Sequence, residues 1–391
     1  MSFIPYGRQS ISEEDIAAVN AVLRSDWLTQ GPMIERFEQA VAQRCEAAHG
    51  VAVCNATAAL HIACLALDLG PGDLLWTSPN TFVASANCAR YCGAEVDFVD
   101  IDPLTLNLSV TALATKLENA ERAGRLPKIL VPVAFAGQSC DMAAIQRLAH
   151  RYGFKVIEDA SHAIGARYAG RPVGCGAQAD ITVFSFHPVK IVTTGEGGLL
   201  TTKDAAVAER LRRLRSHGIT RDPALMHAPG QGAWYYEQLE LGFNYRITDI
   251  QAALGLSQLD RLEAFIARRR ALVARYRDRL AELPVGLIGD QALAESAWHL
   301  FPIRVDEARR DRVFAGMRAA GIGVNLHYIP VHLQPYYQAL GFQPGDFPEA
   351  ERYYAQALSL PLYADLSEEQ QDRVVKCLVG LLDSGVVQCG S

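Results

Sequence analysis

Lys155-Val156-Ile157-Glu158-Asp159-Ala160-Ser161-His162 is the stretch on which the fold turns. A short apolar run, entered after Gly153 and closed by carboxylates, has the form of a strand buried on both faces that stops at a polar edge. The same unit repeats in both directions. Upstream, the strand-like runs Val51–Cys54, Leu74–Thr77, Val96–Val99 and Ile129–Ala134 alternate with helical stretches Ala58–Leu69, Val83–Tyr91, Val110–Asn119 and Asp141–Tyr152. Downstream come Ile181–Phe186 and, past a glycine-rich turn, Leu199–Thr202. Strands alternating with helices predict βαβ units, and hence an α/β domain with a mostly parallel, seven-stranded-type sheet covered on both faces.

The flanks are also legible. Ser12 caps a first helix with Asp15 three residues on, and Ile16, Val19, Val22 and Leu23 predict its buried face. Gly31-Pro32 breaks the chain, and Ile34, Phe37 and Val41 mark a second helix. Past Leu256 the pattern changes. An arginine-rich helical connector spans Leu259–Leu280, followed by a strand at Leu300–Val305 and a helix at Arg309–Ala320. A strand at Gly323–His327 and a last helix from Ser367 complete the pattern. The expected division is a large α/β domain, residues 1–255, and a connector with a small C-terminal α+β domain, residues 256–391.

Composition narrows the function classes. Of 391 residues 50% are hydrophobic and 20% charged, which describes a globular chain rather than a disordered one. The formal net charge is −6, with no basic run, so nucleic acid and anionic membrane surfaces are not expected partners. The longest apolar stretches, such as Ala58–Leu69, are too short and too polar to span a bilayer. The opening Met1-Ser2-Phe3-Ile4-Pro5-Tyr6 lacks the layout of a signal peptide. Nine cysteines without a Cys-x-x-Cys pair read as buried thiols, and a cytoplasmic location is expected.

In open parallel sheets ligands bind beyond the carboxyl ends of the strands. After Val51–Cys54 stands Asn55-Ala56-Thr57-Ala58-Ala59, a helix N-terminus that suits a phosphate or is an ordinary capped turn. Asp159 is a catalytic carboxylate or a turn cap. Lys190, in His187-Pro188-Val189-Lys190 before Gly195-Glu196-Gly197-Gly198, is a solvated loop lysine or a desolvated amine used as a nucleophile. The combination is more specific than its parts. A pyridoxal phosphate site needs an amine, an anion beside the pyridine nitrogen, a phosphate cup and an aromatic face. Lys190, Asp159, the Thr57 turn with Ser185, and Phe82 supply these, all near strand ends.

Several stretches resemble the DegT/DnrJ/StrS family of sugar aminotransferases, fold-type I pyridoxal phosphate enzymes. They include Leu28-Thr29-Gln30-Gly31-Pro32, Ser78-Pro79-Asn80-Thr81-Phe82, Glu158-Asp159-Ala160-Ser161-His162 and Phe184-Ser185-Phe186-His187-Pro188-Val189-Lys190. Arg215-Ser216-His217-Gly218 and Gly242-Phe243-Asn244-Tyr245-Arg246-Ile247-Thr248-Asp249 continue the series in the family's order. The resemblance implies that Lys190 is the Schiff-base lysine and proton carrier, and that Asp159 is the partner of the pyridine nitrogen. It places His162 near the ring hydroxyl, Phe82 on the ring face, and Thr57, Ala58 and Ser185 in the phosphate cup. Asn244 matches a residue given to the phosphate by the neighbouring subunit, which implies a homodimer with shared sites. Arg246 and Thr29 are expected toward the sugar nucleotide, and His327 and Tyr328 border the pocket or serve the structure.

The family's dehydratase branch carries histidine where this chain has Lys190, so transamination is expected. Ser78–Gly93, Val96–Asp102 and Ser359–Tyr363 are most similar to the enzymes of pseudaminic acid biosynthesis. That likeness implies L-glutamate as donor and a UDP-linked 4-keto-6-deoxy amino sugar, aminated at C4, as acceptor. Other dTDP-, GDP- or UDP-linked keto-sugars, aminated at C3 or C4, are the alternative. A nicotinamide dehydrogenase would need Gly-x-Gly-x-x-Gly where Asn55-Ala56-Thr57-Ala58 stands. A cofactor-binding regulator without chemistry is countered by intact Lys190 and Asp159.

Overall fold

A computed structural model describes residues 3–383. The large domain begins with helices α1 (Glu13–Leu23) and α2 (Pro32–Arg44). β1 (His49–Val53), α3 (Ala56–Ala66), β2 (Leu74–Thr77), α4 (Ala84–Tyr91), β3 (Glu95–Phe98) and α5 (Val110–Ala123) follow. β4 (Ile129–Val131), α6 (Met142–Tyr152), β5 (Lys155–Asp159), β6 (Ile181–Ser185), β7 (Gly198–Thr202) and α7 (Ala205–Arg215) continue the chain. The seven strands form one sheet in the order β1-β7-β6-β5-β4-β2-β3. β6, β5, β4, β2 and β3 pair in parallel, while β7 runs antiparallel between β1 and β6.

Both faces of the sheet are covered, as its strand composition predicts. Val51 and Val53 of β1 join Ile62 of α3 on one face, and Ala52 turns to Phe37 of α2 on the other. Each such apolar side chain, fully buried, contributes about 1.5–3 kcal/mol. Gly198 lies between two strand ends, paired with Val53 on one side and Ser185 on the other. A Cβ there would stand 2.6 Å from the Asn55 carbonyl, so glycine lets the start of α3 lie against the start of β7.

α8 (Asp249–Leu259) and α9 (Leu262–Leu280) lead into the small domain. Its sheet has the order β8 (Gly286–Leu287), β9 (Phe301–Arg304), β10 (Ala357–Leu360), flanked by α10 (Glu307–Ala319) and α11 (Glu368–Asp383). The predicted connector helix forms as α9, beginning at Leu262 rather than Leu259. Three expectations need correction. The run Ile129–Ala134 is strand only to Val131. The strand expected at Gly323–His327 does not form; isolated bridges join Ile4 to Ile322 and Asn325 to Ser359. The N-terminal segment takes the place beside it, with Gly323 N–H donating to the Ile4 carbonyl at 2.6 Å. In α1 the Ser12–Asp15 capping box is present, yet Ile16 and Leu23 are exposed. Val22 is buried as expected, but Asp15 is buried beside it, because its carboxylate accepts bonds from Ser257 (2.7 Å), Gln258 (2.6 Å) and Arg261. This polar anchor turns part of the apolar stripe outward.

The eight cysteines among the described residues are free, and five of them are buried. Cys389 lies outside the described residues. No helix among the described residues is long and apolar enough to cross a membrane.

Candidate active site

A cavity of about 1190 Å³ opens at the carboxyl ends of β5 and β6, bordered by the small domain. Nine of the residues singled out in the sequence line it: Thr57, Ala58, Phe82, Asp159, His162, Ser185, Lys190, His327 and Tyr328. Strand register brings them together. Asp159 ends β5 opposite Val183 of β6, and Ser185 ends β6 two residues later. The loop after β6 is closed by Phe186 N–H to the Gly197 carbonyl (2.9 Å) and Thr194 N–H to the Phe186 carbonyl (3.0 Å). Lys190 sits inside that closed loop, half-buried in the cavity wall.

The electrostatics suit an amine that must be neutral to react. Burial draws the Lys190 ammonium down to about 8, against the opposing pull of Asp159. Asp159 is itself fixed, accepting from Ser85 Oγ at 2.6 Å and from the Ser161 N–H at 3.1 Å. Ser85 is held in turn by Thr81 Oγ1 at 2.8 Å. The imidazole of His162 is kept well below the usual histidine range by burial, then by Lys190 and His327. Its Nε2 meets the Tyr328 hydroxyl at 3.1 Å, while its buried Nδ1 has no hydrogen-bond partner among the described residues. Burial draws His327 down to about 3, and its Nδ1 meets Ser359 Oγ at 2.8 Å.

At the start of α3 the Asn55 side chain accepts the Ala58 N–H at 2.8 Å. The first N–H groups of a helix lack intrahelical partners and, with the helix dipole, attract an anion. Thr57 and Ser185 add hydroxyls beside them. Phe82 is 58% exposed on the cavity wall, an apolar face open to a planar ring. The fit to pyridoxal phosphate therefore rests on this chain's own groups: an amine whose proton burial loosens, a braced carboxylate, an imidazole nitrogen unpartnered among the described residues, a helix N-terminus and an open aromatic face.

Three of the expected residues lie elsewhere in the single chain. Thr29 bridges Thr248, Asn244 bridges Ser216, and Arg246 bridges Val53. Arg246 lines a second cavity of about 520 Å³ with Glu35, Arg212 and Arg215. Tyr245 between them faces the main cavity, where its hydroxyl meets His61 Nδ1 at 3.2 Å. Sequence reading passed over Ser85, Tyr245 and His299, although the first two stand inside quoted motifs. Nothing local in the sequence marks His299, which tertiary folding brings to the cavity.

Fold and site together define a fold-type I pyridoxal phosphate enzyme. Residues 9–379 match the DegT/DnrJ/EryC1/StrS aminotransferase family, and the chain belongs to it. The spore coat polysaccharide biosynthesis protein SpsC of Bacillus subtilis is 40% identical over 384 residues, 96% of each chain. Helicobacter pylori PseC, an aminotransferase involved in the biosynthesis of pseudoaminic acid, has TM-score 0.89 and 28% identity over 98% of this chain and all of its own. Spr1654 from Streptococcus pneumoniae, solved in PLP and PMP forms, matches at TM-score 0.88 in the PMP form. It is 29% identical, covering 97% of this chain and 98% of its own. The protein is thus an aminotransferase of the pyridoxal phosphate type.

Proposed function

We propose that the enzyme moves the amino group of L-glutamate to C4 of a UDP-linked 2-acetamido-2,6-dideoxy-4-keto-hexose, a step of pseudaminic acid biosynthesis. The observation that carries this reading is the likeness to PseC along nearly the whole chain. A cavity of about 1190 Å³ is also roomy enough for a dicarboxylate in one half-reaction and a nucleotide sugar in the other. The balance is complete: glutamate becomes 2-oxoglutarate and the ketose becomes its 4-amino sugar.

When bound, pyridoxal phosphate supplies an aldehyde that carries nitrogen and a ring that accepts an electron pair. The remaining work falls to the chain. In this reading Lys190 holds the cofactor, then its free Nζ takes the Cα proton of glutamate and later delivers a proton to the sugar carbon that receives nitrogen. Asp159, braced by Ser85 and Ser161, keeps the proton on the pyridine nitrogen. His162 donates toward the ring oxygen, Phe82 covers the ring, and Thr57, Ala58 and Ser185 hold the phosphate. The active unit is a homodimer, with Asn244 of the partner subunit completing each phosphate site and Arg246 and Thr29 meeting the nucleotide. Exposed Trp27 (54%), Trp234 (72%) and Leu241 (79%) supply apolar surface for such a face.

Amination of another nucleotide-linked keto-sugar is a second reading, favoured by the higher identity to SpsC. One experiment separates them. The enzyme is incubated with glutamate and a panel of UDP-, dTDP- and GDP-linked keto-sugars, with 2-oxoglutarate release followed and the amine located by NMR. A 4-amino product from the UDP-linked 4-ketose is expected. Turnover confined to a dTDP- or GDP-linked sugar, or amination at C3, overturns the proposed substrate.

A further inference from the structure

His299 lies two residues before β9, on the small-domain side of the cavity, and it is 4% exposed. Its ring centroid stands 4.5 Å from that of His162, with the planes tilted by 48°. The His299 loop is bonded to a turn against which the His162 backbone also lies. His299 N–H donates to the Ala136 carbonyl at 2.9 Å, and Ala297 N–H donates to the Gly137 carbonyl at 3.0 Å. Gly137 has φ +100°, and a Cβ there would stand 2.8 Å from Trp298 N and 2.9 Å from the His162 carbonyl oxygen. A side chain at 137 would therefore force the two histidine segments apart.

A second support comes from α9. Arg269 is 2% exposed, and its guanidinium donates to the carbonyls of Trp298 (3.2 Å), His299 (3.3 Å) and Leu362 (3.0 Å). Burying a cation against carbonyls alone is unfavourable relative to an apolar residue, and burial lowers this guanidinium to about 10. A charge held at that cost, behind a loop that brings His299 to the cofactor cavity, points to a positional role for the loop.

We propose that His299 is a positioning residue for His162: it holds that imidazole as a single neutral tautomer, with the proton on Nδ1, directed to the cofactor ring. This rests on the reading of His162 given above. Lys190, Arg269 and His327 are the cationic or protonatable groups around the pair, with Asp159 and the Tyr328 hydroxyl opposite. A second positive charge between two buried imidazoles is disfavoured, so both rings stay neutral. Burial also keeps the Tyr328 hydroxyl protonated. In the proposed state that hydroxyl, 3.1 Å away, donates to Nε2 of His162 and Nδ1 carries the N–H; among the described residues Nδ1 has no hydrogen-bond partner, so it is the nitrogen left for the cofactor ring. Ring packing by His299 prevents the flip that would exchange the two nitrogens.

The test uses 15N spectra of the histidine side chains in cofactor-free protein, with His162→Gln assigning the signals. Wild type is expected to show one neutral Nδ1–H tautomer for His162 across pH 5.5–8. His299→Ala should give mixed tautomers, and in the loaded enzyme a fall in kcat of roughly 10-fold with the KM for glutamate little changed. His299→Phe, which restores ring packing, should recover the single tautomer. Should His299→Ala fail to fold, Arg269→Met, which loosens the same loop from behind, should produce the same mixing to a smaller degree. Identical His162 spectra in wild type and in whichever of these loosened variants folds would overturn the proposal. Normal turnover in His162→Ala would instead count against the role assigned to His162, leaving the tautomer result to stand by itself.

Discussion

The strand ends at Asp159 and Ser185 and the segment Asn244-Tyr245-Arg246 both carry motif residues, yet the fold treats them differently. The first pair opens directly into the main cavity, because parallel strands β5 and β6 end side by side. The second runs extended beside β1, with bridges from Asn244 to Ser216 and from Arg246 to Val53. Side chains alternate along extended backbone. Tyr245 therefore faces the main cavity, and Arg246 faces the second one. One chain thus lines the main cavity with Asp159, Ser185 and Tyr245, while Asn244 and Arg246 lie outside it.

The sharpest way to break this contrast is Lys190→Ala. It is expected to reduce turnover to background while leaving the circular dichroism and melting profile of a folded protein. No neighbouring amine stands within the same loop to replace it. Normal turnover with normal cofactor absorption would remove Lys190 from the mechanism. Asp159→Asn comes next. It preserves shape but not charge, so kcat should fall roughly 100-fold or more while cofactor is retained. An unaltered kcat would reduce Asp159 to a turn cap.

The other side of the comparison predicts smaller, substrate-selective effects. Arg246→Ala should raise the KM for the sugar nucleotide by about 10-fold and leave that for glutamate nearly unchanged, as loss of a charge-assisted contact to diphosphate requires. Mixing Lys190→Ala with Asn244→Ala chains should restore activity above either parent, since a hybrid dimer regains one intact site. Activity in a verified monomer would refute shared sites.

The smallest expected effect lies behind the cofactor wall. Glu158 is buried next to Asp159, accepting from Ser139 Oγ at 2.9 Å, and burial lifts its carboxyl to about 7. The folded state therefore binds more protons than the unfolded one between the ordinary carboxylate range and about 7, and stability declines as pH rises through that window. Glu158→Gln should flatten this slope, raising the melting temperature by about 1–3 °C above pH 7 and changing it little at pH 5. A gain as large at pH 5 would mean that the benefit is packing rather than charge.

Local pattern in the sequence determined a great deal. Short apolar runs at strand length, glycine at tight approaches and chemistry-bearing residues at strand ends set the α/β order and named Lys190, Asp159, Thr57 and Ser185. These features are local, so periodicity and motif spacing report them directly. Other features were decided by long-range contacts. Asp15 anchors α1 through Ser257 and Gln258, over two hundred residues away, and the N-terminal segment pairs alongside the stretch where a strand at 323–327 was expected. His299 reaches His162 only because Arg269 and the Ala136–Gly137 turn clamp its loop across the chain. Such placements depend on which buried donors and acceptors find each other once the sheet has formed, and no window of sequence contains both partners.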